Sequence, residues 1–275
     1  MRELYIANKN YSSWSLRPWL LMQQLQIPFI EQLVPFSQQG NFDKFRTFSP
    51  SGKVPCLVQK ELVVWDSLAI AEFLYESHKS VWPQDSKARA FARCAAAEMH
   101  SGFSALRNIC GMSCGHRVQL HQVSPALQQD ISRLSELFEQ GISQFGGPFL
   151  AGSQFSAADA FFAPVAIRMQ SYDLAFSAVA KTYLRHLLEL PAMQNWYQQV
   201  LAAEQPLAAL LSLEQGKPMA EAVAEIRYAA AFIQWFAEEA RRSYGDVIPS
   251  PQANRRLLNI RQPVGVVAAI TPWTF

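Results

Sequence analysis

Tyr11-Ser12-Ser13-Trp14-Ser15-Leu16-Arg17-Pro18-Trp19 joins two segments of different character. Before it, Leu4 to Ala7 is a short apolar run that reads as a strand. After it, Leu16 to Leu25 is an amphipathic run that reads as a helix. Three serines therefore sit on a strand-to-helix turn, where their side-chain oxygens are expected to cap the first backbone N–H groups. Pro18 falls in the first helical turn, where its missing N–H costs little. Such a helix start combines free N–H donors with partial positive charge and can hold an anion. An ordinary cap is the other reading of the same residues.

Outward from this turn, residues up to 78 alternate strand and helix. Strands are expected at 29–34, 54–59 and 61–64, a helix at 67–77, and an irregular stretch at 37–52. The helical connection makes the first two strands parallel. Only Gln59 and Lys60 separate the last two, which implies an antiparallel hairpin. Val54-Pro55 opens a strand, so Pro55 is either an edge-strand proline or a cis proline that turns the Val54 backbone outward. Asp66-Ser67 follows a strand and opens a helix, as a cap, as a binder of charged ligand groups, or as both.

Three motifs in order, Ser12-Ser13-Trp14-Ser15-Leu16-Arg17, Val54-Pro55 and Asp66-Ser67-Leu68-Ala69-Ile70, resemble the thioredoxin-like domain of cytosolic glutathione transferases. The first is most similar to the serine-type zeta class, whose pattern is Ser-Ser-Cys-Ser-Trp-Arg. Trp14 stands where that class has cysteine, a departure that bears on the zeta substrate, a maleylacetoacetate-type isomerisation, but not on glutathione binding. The resemblance implies Ser12 as the group that stabilises the glutathione thiolate, with Ser13 as fallback. It also implies Ser12, Ser13, Trp14, Val54, Asp66 and Ser67 as glutathione contacts. An electrophile is expected against Met99, Phe103 and Arg107. Arg17 reads as a ligand-side charge or as half of a structural salt bridge. A non-catalytic binding module and a zeta-type isomerase are the alternatives.

After a linker at 81–86, helices are expected at about 86–110, 124–144, 156–171, 176–188 and 191–203. Ser156 with Asp159 three residues later forms a capping box, similar to the one on the central helix of glutathione transferases. The expected architecture is thus an α/β thioredoxin-like domain at 1–80 and an all-α domain at 86–205. The resemblance also implies a homodimer.

A third segment, 207–275, changes character. A helix from about Met219 to Tyr244 precedes Asn254-Arg255-Arg256-Leu257-Leu258-Asn259-Ile260-Arg261-Gln262-Pro263-Val264-Gly265-Val266-Val267-Ala268-Ala269-Ile270-Thr271-Pro272-Trp273. This run resembles an internal piece of an aldehyde dehydrogenase, nearest the succinate-semialdehyde dehydrogenases. Thr274 stands where that family carries an oxyanion-stabilising asparagine. The oxidation needs a nucleophilic thiolate and a bound nicotinamide. No segment here supplies the family's nucleotide-binding domain, so neither NAD nor dehydrogenase activity is expected. The strands about Leu257 to Ile270 are expected to pair through Gln262-Pro263 as a C-terminal β-hairpin, or to be an aggregation hazard.

Bulk composition fits that reading. Half of the 275 residues are hydrophobic, 17% are charged and the net charge is +2. No basic block points to nucleic acid or a membrane surface, and no apolar run approaches a membrane span. Cys56, Cys94, Cys110 and Cys114 show no disulfide framework, which fits a reducing, cytoplasmic setting. Cys110 and Cys114 have His116 and His121 nearby, but no second pair completes a four-ligand set, so no metal is expected.

Overall fold

The structure, a computed structural model, describes residues 1–36, 40–115 and 117–202, and beyond them 212–213, 216, 218–221, 223–224, 246–248 and 257–259. It divides into two compact units, Met1–Leu201 and Ala202–Phe275.

The first unit begins with β1 (Arg2–Ile6), α1 (Ser13–Gln24), β2 (Ile30–Leu33), α2 (Phe42–Arg46), β3 (Cys56–Gln59), β4 (Leu62–Val64) and α3 (Ser67–Ser77). The sheet order is β2-β1-β3-β4. β1 pairs in parallel with β2, with Glu3 opposite Ile30, and antiparallel with β3, with Leu4 opposite Leu57. β3 and β4 form the expected hairpin. The Val54–Pro55 peptide is cis, the second of the two readings above. Leu4, Ile6 and Leu57 from the sheet are fully buried, as are Leu16, Leu20, Ile70 and Leu74 from α1 and α3. The sheet and its helices therefore share one apolar layer.

Seven elements follow: a 3-10 turn at Lys79–Val81, then α4 (Ser86–Ser101), α5 (Ser104–Ile109), α6 (Pro125–Phe145), α7 (Ala157–Tyr172), α8 (Ala178–Glu189) and α9 (Pro191–Ala202). The single helix expected over 86–110 is broken. Gly102 closes α4 by donating its N–H to the Glu98 carbonyl at 2.8 Å, and Phe103 adopts a left-handed φ of 55°. The new start is held from a distance, because the Asp130 carboxylate of α6 accepts from the Leu106 N–H at 2.9 Å.

α7 is the centre of the helical layer, with Ala157 to Met169 buried without interruption. It packs against α1, α4 and α8. The capping box forms as expected. Fully buried Asp159 accepts from the Ser156 N–H at 2.8 Å, the Leu150 N–H at 2.9 Å and the Tyr183 hydroxyl at 2.9 Å. Two lines from other parts of the chain close the unit. Lys9 lies over the rings of Trp19 and Trp196 at 4.9 and 5.2 Å. Its ammonium is 2.6 Å from Glu31 and also meets Gln199 of α9.

In the second unit β5 (Asp246–Ile248) pairs antiparallel with β6 (Leu257–Asn259), Val247 opposite Leu258. This pairing is not among the expectations, and the hairpin expected through Gln262-Pro263 is neither met nor contradicted by it. The residues about Gln262-Pro263 lie outside the described residues. Of the expected 219–244 helix, 219–221 and 223–224 are helical and the remainder lies outside them too.

Candidate functional site

α1 starts where β1 ends, and its first turn is tied down by backbone bonds. The Tyr11 and Ser12 N–H groups both donate to the Asn8 carbonyl, at 3.1 and 2.9 Å. Ser12 is the N-cap, yet its side chain caps no N–H. That corrects the expectation that the serine oxygens would do so. Ser12 Oγ instead donates to Ser15 Oγ at 2.7 Å, and Ser15 Oγ accepts from the Ala7 N–H at 3.1 Å. The reason is geometric: three residues on along a helix lies on the same face, so a second hydroxyl competes with the backbone for Ser12. Ser12 is 5% exposed and Ser15 fully buried. Ser13 and Trp14 are half-buried beside them.

Asp66 opens α3. Its Oδ1 accepts from the Leu68 and Ala69 N–H groups at 2.9 and 3.4 Å. Its other oxygen, Oδ2, lies 3.1 Å from His100 Nε2. Ser67 is completely buried, and among the described residues nothing bonds its hydroxyl. A buried hydroxyl without a partner is costly. Val54 is half-buried at the cis peptide that leads into β3.

His100 joins these pieces. From α4 it reaches Asp66 at the head of α3 and meets the Trp14 ring edge-on at 5.1 Å in the first turn of α1. Two helix N-termini thus converge with α4 behind them. Burial pushes the His100 imidazole below its ordinary range. Asp66 pulls it up, and Arg17 and Arg107 push it down.

Trp14 lies between two guanidinium groups, Arg17 at 4.1 Å and Arg107 at 4.7 Å from its ring centre. Arg17 also faces Phe161 at 4.9 Å. It is 1% exposed, and its Nε and Nη1 have no hydrogen-bond partner among the described residues. Among them no carboxylate lies within ion-pair distance, so the salt-bridge reading of Arg17 is replaced by stacking. Burial, with Arg107 and Arg168 nearby, lowers the Arg17 guanidinium to about 9. Met99 and Phe103 are buried in the core next to this cluster rather than open to a ligand.

Two residues of this cluster escaped the reading of the sequence. Ser15 had a signal, its spacing from Ser12 along a helix. His100 had none, because only the packing of α4 against α3 brings it to Asp66. The cysteines are quieter. All four thiols are free, and burial raises Cys110 and Cys114 to about 12. Among the described residues no group of three His, Cys, Asp or Glu side chains could hold a metal. No helix among them is long and apolar enough to cross a membrane.

Residues 11–77 match the glutathione S-transferase N-terminal domain and residues 89–199 the C-terminal domain of the same family. A glutathione transferase homologue from Burkholderia gl BGR1, solved with bound glutathione, superposes with a TM-score of 0.56 at 21% identity, over 74% of this chain and 98% of its own. A diazinon-metabolizing glutathione S-transferase of the silkworm Bombyx mori gives 0.58 at 15% identity, over 74% and 98%. At these identities the likeness is one of fold.

Residues 168–275 match the aldehyde dehydrogenase family. The succinate-semialdehyde dehydrogenase [NADP(+)] of Escherichia coli K12 is 58% identical over 83 residues, which is 30% of this chain and 17% of the enzyme. The succinate semialdehyde dehydrogenase of Acinetobacter baylyi is 57% identical over the same shares. The chain therefore spans about a sixth of the length of the curated relatives it matches. Both family matches claim residues 168–199. In the structure those residues serve the first unit. Arg168 donates to the Cys110 carbonyl at 2.7 Å, Ser171 to the Ser113 carbonyl at 2.6 Å and Trp196 to the Lys9 carbonyl at 2.9 Å. The chain carries the N- and C-terminal domains of the glutathione S-transferase family over most of its length, followed by a partial, succinate-semialdehyde dehydrogenase-like segment of an aldehyde dehydrogenase.

Proposed function

We propose that the first unit is a glutathione transferase that binds the tripeptide across the N-termini of α1 and α3. The observation that carries this reading is the contact of His100 with both Asp66 and Trp14, which holds the two helix starts on one site. Asp66 and Ser67 take the γ-glutamyl ammonium and carboxylate. The Val54 backbone pairs with the cysteinyl part of the tripeptide as an added strand rung. Ser13 and Trp14 line the thiol end. A free thiol ionises at about 8.5, and serine is too weak an acid to serve as base at neutral pH. Ser12 therefore acts as a donor to the thiolate, aided by the α1 terminus. The thiolate then attacks a small electrophile on the side of Arg107. The protein works as a homodimer in a reducing cytoplasm, in keeping with four unpaired cysteines.

A specific observation favours the non-catalytic alternative: the Ser12 hydroxyl is engaged with Ser15. Calorimetric titration with glutathione, alongside turnover of an activated aryl halide, separates the two. Transferase function predicts binding that weakens at least tenfold in Asp66→Asn and in Ser67→Ala, and conjugation above the uncatalysed rate. Binding without turnover leaves the module. Unchanged affinity in both variants overturns the site.

A further inference from the structure

We propose that Ser15 is a positioning residue for thiolate formation, orienting the Ser12 hydroxyl so that its proton points at the ligand. The inference rests on the reading of Ser12 given above.

A hydroxyl has one proton and two acceptor lone pairs, and the proton turns to suit its surroundings. In the ligand-free chain Ser15 Oγ accepts both from the Ala7 N–H at 3.1 Å and from Ser12 Oγ at 2.7 Å. When Ser12 donates across that contact, Ser15 accepts twice and its own proton must find another acceptor. Ser15 is 0% exposed, so water cannot supply one, and among the described residues no other group accepts from it. When a ligand arrives the pair turns to the opposite sense, Ser15 donating to Ser12, and the spare proton is then the one on Ser12. Ser12 is the member of the pair with exposure, 5%, and it stands at the helix N-terminus. A thiolate arriving there accepts that proton, and both hydroxyls turn without any proton changing its oxygen. The Ala7 N–H blocks one lone pair of Ser15 and so limits the ways it can turn. Polarisation along the chain Ala7–Ser15–Ser12 strengthens the terminal donor. The backbone of Ser12 is itself fixed, its N–H to the Asn8 carbonyl and its carbonyl to the Leu16 N–H at 3.2 Å. The apparent conflict between a buried, engaged Ser12 and a donor role is thereby removed.

The test is the ultraviolet absorbance of bound glutathione against pH in the full chain, for wild type, Ser12→Ala, Ser15→Ala, and the equal-volume pair Ser15→Thr and Ser15→Val. The expected result is that Ser15→Ala and Ser15→Val move the bound thiol pKa most of the way that Ser12→Ala moves it. Ser15→Thr should keep the wild-type value. Glutathione affinity should change less than about twofold, so that kcat falls while KM holds. A merely structural role would lower affinity and leave the thiol pKa of the bound fraction alone. If Ser12→Ala raises the pKa and the Ser15 variants do not, the Ser15 inference is overturned and the Ser12 reading stands. If neither moves it, the Ser12 reading itself fails. Thr and Val match each other in volume, each one methyl larger than serine, so they differ only in the hydroxyl and any strain from the added methyl is common to both. A Thr variant that folds but shows the Ser12→Ala value also overturns the inference.

Discussion

Replacing Asp159 by alanine should be among the most damaging single changes in the first unit. The carboxylate holds four donors: the Leu150 N–H and Tyr183 hydroxyl on Oδ1, and the Ser156 N–H and hydroxyl on Oδ2, at 2.8 to 3.1 Å. Asp159 and Leu150 are fully buried, and Ser156 and Tyr183 are each 2% exposed. Alanine leaves at least three of these donors without a partner, at about 1–3 kcal/mol each. Water entering the vacated space recovers part of that, so we expect a loss of about 4 kcal/mol, at the edge of what single substitutions do. Asp159→Asn keeps the volume but turns an N–H group toward a donor, and should lose about half as much. Tyr183→Phe removes one donor and strands none, and should lose about 1 kcal/mol. Urea unfolding followed by tryptophan fluorescence and by circular dichroism gives all three values. A loss below about 1 kcal/mol for Asp159→Ala, or equal losses for Asp159→Ala and Tyr183→Phe, would refute the view that this carboxylate ties the loop at Leu150 and the start of α7 to α8.

Three further outcomes follow from the site and its support. Arg17 is a buried cation with no carboxylate in ion-pair distance among the described residues, and burial lowers its ionisation to about 9 against a weaker pull from Asp66. The protonated form is thus disfavoured by folding, so its penalty is present at neutral pH and shrinks as pH rises above about 9. Arg17→Met should therefore stabilise the ligand-free chain by about 1–3 kcal/mol in urea at pH 7, and abolish that rise of stability with pH. A loss of stability would contradict it. His100 is held below its usual range, so stability is lost as pH falls through 6.5 toward its folded value. Below that value a protonated His100 competes for Asp66, and glutathione affinity should drop in wild type but stay level in His100→Gln, measured by calorimetry between pH 5 and pH 7. Gly141 of α6 faces the Leu150 carbonyl so closely that an added Cβ would lie 2.4 Å from that oxygen. Gly141→Ala should cost about 1–3 kcal/mol despite its better helix propensity, read from the urea midpoint.

Much of the fold was legible because local pattern and tertiary structure agree there. The apolar run at Leu4, the hairpin turn after Gln59 and the Ser156–Asp159 box each appear where the sequence puts them. The break between α4 and α5 was not legible. The apolar spacing runs on through Phe103, and the start of α5 is fixed by Asp130, 24 residues further along the chain. The pairing of β6 with the upstream β5 was not legible either. Of the site, Asp66 was legible as a helix cap. Ser12 was legible as an N-cap position but not in its bonding, because the choice between a backbone N–H and Ser15 is made by packing. Arg17 read as a ligand-side charge or as half of a salt bridge, yet it stacks on Trp14 and on Phe161 of α7, a packing that the sequence does not show.

The most direct measurement is the pH titration of glutathione absorbance in complex with the full chain, compared with free glutathione. The account predicts a bound thiol that ionises well below the free value of about 8.5, returning toward that value in Ser12→Ala with glutathione still bound. A bound thiol that ionises where the free one does would contradict it.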